Sequence, residues 1–100
     1  MATLDEIASG VVQMLAHEGL NPPPVELRNH SPAEFAEFVT MVIDRCYTQD
    51  VPLKAVNLSP DFGGDLRHLV DWLGQYRGVP IHFDERLGRS IQFVPGSRIH

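Results

Sequence analysis

The chain has one cysteine among 100 residues, which excludes an intramolecular disulfide. It lacks any apolar run of about 18 residues, the length a membrane-spanning helix requires. Its opening, MATLDEIASG, carries acids where a secretory signal needs basic residues. A cytoplasmic location with no membrane association is the expectation. Positive charge is also scarce. Eight Lys and Arg stand against 13 Asp and Glu, a net charge of −5. Nucleic-acid binders usually carry a basic patch that displaces phosphate counterions. Here the basic residues are scattered, and only Arg86, Arg89 and Arg98 fall close together. A nucleic-acid partner is disfavoured, and the acidic balance serves solubility.

What remains is ordinary globular material. Hydrophobic residues make up 43% and charged residues 21%, the proportions of a soluble domain. The length fits a single domain over 1–100. A chain of this size buries roughly two-thirds of its unfolded surface, enough for one core.

The clearest break is Asn21-Pro22-Pro23-Pro24. Consecutive prolines favour extended backbone and cannot continue a helix. Before it, the spacing predicts helix one over 4–18. Thr3 and Glu6 fit a capping box, and Leu4, Ile7, Ala8, Val11, Val12, Met14 and Leu15 share one side. Gly19 follows as a stop. After the break, Val25 to Arg28 alternates as a short strand. Ser31, Pro32 and Glu34 then open helix two, which runs to about Thr48. Its apolar stripe is Phe35, Phe38, Val39, Val42, Ile43 and Cys46.

Leu53 to Ser59 reads as a central strand. Helix three is expected over 64–77, with Phe62, Leu66, Leu69, Val70, Leu73 and Tyr76 on its core side and Gly78 as its stop. Two alternating strands follow, with Ile81, Phe83, Ile91 and Phe93 inward and a hairpin loop at 85–88 between them. The order is α-β-α-β-α-β-β, with a βαβαββ unit over 25–95. The fold class is a two-layer α+β or α/β sandwich. It has a mixed four-stranded sheet, with helices on one face. Glu26, Arg28, His82, Asp84, Ser90 and Gln92 fall on the other face, which is polar. Helix one then buries its stripe beside the other helices or against a partner.

The stretch NLSPDFGGDL, 57–66, is the most site-like. Glycines ahead of a helix suit a phosphate cradle. Asp61 and Asp65 oppose that use, because they already complement the positive end of the helix dipole. The spacing matches neither a P-loop nor a calcium loop, so a capping turn is the reading. The six residues AVNLSP, 55–60, resemble a segment of the cyclic-di-GMP phosphodiesterase barrels. The Glu-Ala-Leu signature of that family is missing, and no role is carried over. The five histidines lack zinc-ligand spacing. No metal or cofactor is expected. Cys46 lies mid-stripe and reads as core.

Two surfaces remain. Asp65, His68 and Trp72 line up along helix three and, with Asp61 in the turn ahead of it, form a candidate interaction surface. Arg28, His82, Asp84 and Gln92 share the polar sheet face, where His82 and Asp84 could act as an acid-base pair. With no convincing catalytic constellation, the favoured function is a small non-enzymatic interaction or regulatory module. A protein partner or self-association, through helix one or the Trp72 flank, is the expected mode. The alternative is a ligand-binding domain or enzyme on the polar sheet face. A third reading is RNA binding. It rests on topology alone, since the element order resembles that of the C-terminal domain of a bacterial translation initiation factor.

Overall fold

The computed structural model describes residues 3–17, 22–27 and 30–96, without the side chains of residues 32 and 62–65. Helix α1 spans Leu4–Ala16. Thr3 begins it, its hydroxyl accepting from the Glu6 N–H at 3.2 Å, which satisfies one of the free donors of the first turn. Ala8, Val11, Val12 and Leu15 are buried. They pack on helix α2, Pro32–Thr48. Arg45 of α2 ties the pair together, donating to the Asp5 carbonyl at 3.1 Å and the Ser9 hydroxyl at 2.7 Å, and pairing with the Asp5 carboxylate. The stop expected at Gly19 lies outside the described residues, and so does Arg28.

At the start of α2, the Glu34 carboxylate turns back to accept from the Ser31 N–H at 3.0 Å and its hydroxyl at 3.2 Å. It also meets His30 Nδ1 at 2.8 Å. These bonds hold the Glu34 carboxyl below its usual range, the His30 contact contributing most. The stripe read from the sequence is buried: Phe35, Phe38, Val39, Val42, Ile43 and Cys46. Phe38 meets Phe93 edge-to-face, centroids 5.9 Å apart, and seats the helix on the sheet. Each such fully buried side chain contributes roughly 1.5–3 kcal/mol.

The sheet has five strands and is not closed: β1 Val25–Glu26, β2 Leu53–Leu58, β3 Gln75–Tyr76, β4 Val79–Phe83 and β5 Ser90–Pro95. Their order is β1-β5-β2-β4-β3. β2 is central, parallel to β4 and antiparallel to β5. Val56 stands beside Ile81 and Phe93, and Leu58 beside Phe83 and Ile91. That register brings the apolar side of each strand to one face, the face α2 covers. β1 pairs with β5 at only two positions, Val25 with Ile91 and Glu26 with Ser90. The prolines preceding Val25 have no N–H to extend that ladder, so they blunt this edge.

Three expectations are corrected. The sheet has five strands, not four. Helix three does not form over 64–77: a short helix α3, Pro60–Gly63, passes into a 3-10 turn, Gly64–His68, then a loop and β3. Two glycines at its start weaken helix propensity. Asp71 then offers its carboxylate to the Leu73 and Gln75 N–H groups at 2.8 and 3.1 Å, which competes with helical bonding. Gly78 ends no helix. With Arg77 it forms the tight turn joining β3 to β4, both residues at positive φ, 50° and 80°, as such hairpin turns demand. Finally, 85–88 is not a hairpin loop. β2 lies between β4 and β5, and the link is a 3-10 turn, Glu85–Leu87, capped by Asp84. Three alternating strands do not themselves state which two pair; here the most apolar strand takes the position with a neighbour on each side.

Candidate interaction surface

The described residues place the expected surface differently from a helix face. The Asp61 N–H is capped by Ser59, whose buried hydroxyl accepts at 3.2 Å. Asp65 falls in the 3-10 turn, and its side chain lies outside the described residues. His68 is exposed at the end of that turn. Trp72 comes four residues later, beyond the helical segment, and is 90% exposed. The helical alignment expected of Asp65, His68 and Trp72 is therefore lost.

Trp72 instead joins Leu69 and Leu73, which are 50% and 57% exposed. The sequence pattern assigned both leucines to the core. Among the described side chains of the expected stripe, only Leu66 is fully buried, with Val70 and Tyr76 partly so. The loop is fixed at its base: the Asp71 N–H donates to the Gln75 carbonyl at 2.9 Å, beside the two bonds to the Asp71 carboxylate. A rigid base thus holds out three large apolar side chains. Nothing in local spacing marks the leucines as exposed. The signal available was Asp-x-x-Gly, Asp71 to Gly74, a turn signature.

The polar sheet face forms as a row across three strands. Asn57 pairs in register with His82 on one side and Gln92 on the other. The Asn57 amide donates to Gln92 Oε1 at 3.4 Å. His82 and Gln92 are exposed, and Glu26 lies opposite Ser90 nearer β1. Asn57 was missed as a member of this row, although its parity on β2 was readable. Asp84 does not join His82 in an acid-base pair. Its carboxylate accepts from the Arg86 backbone and guanidinium at 3.0–3.1 Å. Those bonds hold its pKa below the usual range, the Arg86 side chain contributing most.

A third feature was not anticipated. Asp44 on α2 accepts from the Tyr76 hydroxyl at 3.0 Å and Arg77 Nε at 2.6 Å. The Arg77 guanidinium also lies 4.9 Å from the centre of the Tyr47 ring. This clasp bounds a cleft of about 850 Å³ between the end of α2 and the β3–β4 turn. The residues of the polar sheet row do not line it. Cys46 does, and burial pushes its thiol up to about 11.

Among the described residues, no group of three or more His, Cys, Asp or Glu side chains could hold a metal ion. No helix there is long and apolar enough to cross a membrane. No family model, curated protein or solved structure matches the chain.

Proposed function

We propose that this protein is a non-enzymatic interaction module that engages a protein partner, or a second copy of itself, through the 69–73 loop. One observation carries the reading: Trp72 is 90% exposed between Leu69 and Leu73, also half or more exposed. Burying an exposed Trp and two Leu against a partner releases several kcal/mol, and Trp is the residue type most enriched at energetic centres of interfaces. A loop fixed by Asp71 loses little entropy on docking. Helix α1 lends self-association less support than the loop does, because Ala8, Val11, Val12 and Leu15 of its apolar stripe are buried within the chain. The topological analogy that suggested RNA rested on a βαβαββ element order; here a short helix, a 3-10 turn and the added strand β3 stand between β2 and β4.

Trp72 is the sole tryptophan, so its emission reports this surface alone. The test is light scattering with fluorescence over a concentration series, and in the presence of candidate partners. Association with a blue shift of Trp72 emission, lost in Trp72→Ala, supports the proposal. Association that leaves the emission unchanged and survives Trp72→Ala removes it.

A further inference from the structure

We infer that the cleft between the end of α2 and the β3–β4 turn binds a small organic cation with an apolar body. The cleft is separate from the 69–73 loop. Its volume, about 850 Å³, lies within the range of small-molecule sites. Its floor is apolar, formed by Ile43, Cys46, Val51 and Val79. The Cys46 thiol stays neutral near pH 7, being pushed up by burial, so the floor carries no charge.

The rim decides the ligand's sign. Two charged side chains line it, Arg77 and Asp50. Arg77 is already neutralised by Asp44, with Nε to oxygen at 2.6 Å. Among the described residues no hydrogen bond or ion pair engages the Asp50 carboxylate. The cleft therefore offers one uncompensated negative charge above an apolar floor. A primary ammonium group on an apolar body complements both features. The long-range field agrees, since the chain's net charge of −5 attracts cations.

The backbone that carries this carboxylate adopts a defined turn. Asp50 sits at φ 57°, a left-handed conformation that non-glycine residues adopt rarely. Its N–H donates to the Tyr47 carbonyl at 3.4 Å, and the next N–H, of Val51, to the Cys46 carbonyl at 2.8 Å. Helix α2 ends through these bonds, and the turn that ends it sets Asp50 on the rim. Beside it the Tyr47 ring, 67% exposed, is braced by the Arg77 guanidinium. An aromatic side chain left this exposed gives the apolar body a flat wall.

Amide-resolved NMR titration tests the inference with three probes of similar shape: phenethylamine, 3-phenylpropionate and phenylalanine. The expected result is saturable shifts with phenethylamine, confined to residues 43–53 and 77–79, and weaker binding of the other two. Asp50→Asn is the decisive variant. Asn tolerates left-handed backbone, so the turn is kept while the charge is removed, and an unchanged amide spectrum elsewhere verifies the fold. Phenethylamine affinity should fall roughly two- to fivefold, the worth of a rim ion pair. The inference is overturned by any of three results. These are no saturable shifts with the amine, carboxylate binding as tight as the amine's, or amine affinity unchanged in Asp50→Asn.

Discussion

Asp44 and Arg77, 33 residues apart, are joined by a 2.6 Å bond from guanidinium Nε to carboxylate. Tyr76 adds its hydroxyl to the same oxygen at 3.0 Å. One carboxylate on α2 thereby holds the two-residue strand β3 and the turn that follows it. β3 needs this help. Its ladder to β4 has only two registered pairs, Gln75 with Pro80 and Tyr76 with Val79, and Pro80 cannot donate.

Asp44→Ala should therefore loosen the hairpin without unfolding the core. Amide exchange at Tyr76 and Ile81 should accelerate, while exchange in β2 stays slow. Tyr76→Phe removes one of the two bonds, and its stability loss should be about 1 kcal/mol. Equal exchange at Ile81 in Asp44→Ala and the parent would show that the clasp does not hold the hairpin.

The Arg77-Gly78 turn gives a second test. Gly78 has φ 80° with open space where a side chain would project, so the cost of Gly78→Ala is conformational. About 1–2 kcal/mol should be lost, read as a lower urea midpoint at unchanged slope. Arg77→Asn should keep the turn, since Asn-Gly favours this conformation, while releasing the contact to Asp44.

Cys46 makes stability depend on alkaline pH. Burial raises its pKa from 9.0 to about 11, so the unfolded chain releases this proton first. Above 9.0 the folded state binds more protons than the unfolded one, and stability falls as pH rises. The contribution is fully present below 9.0 and lost on approaching about 11, a loss of up to roughly 3 kcal/mol. Tyr76, also raised by burial and then by the Asp44 bond, adds to the decline above its ordinary 10.0. Denaturant titrations should show a shallower alkaline slope in Cys46→Ala. A thiol reagent should label Cys46 rapidly only after unfolding, because the residue is 2% exposed.

The opposite sign applies at the start of α2. The Glu34 carboxyl is lowered by His30 first and by the Ser31 N–H next. Its stabilising contribution is present above its ordinary 4.5 and is lost as pH falls through the depressed value. Acid unfolding curves of Glu34→Gln should lack that share of the decline. Identical acid profiles for the parent and Glu34→Gln would show that the carboxylate does not stabilise the helix start.

The sequence by itself determined the local elements. Thr3, Ser31, Pro32 and Glu34 mark the starts of α1 and α2 through bonds made within a single turn. The period of the α2 stripe names its buried face, because helix geometry is fixed at 3.6 residues per turn. Parity on the strands likewise places His82 and Gln92 on one face and Ile81, Phe83, Ile91 and Phe93 on the other. Tertiary structure alone decided the rest. Strand order depends on which of several similar strands finds two neighbours, and alternation carries no partner label. The 69–73 loop carries a helix-like apolar period that glycines and the Asp71 carboxylate override, so Leu69 and Leu73 emerge beside Trp72 instead of entering the core. The cleft needed Asp44, Asp50 and Arg77 from two distant segments. Only a long-range contact brings those together, and no local spacing encodes it.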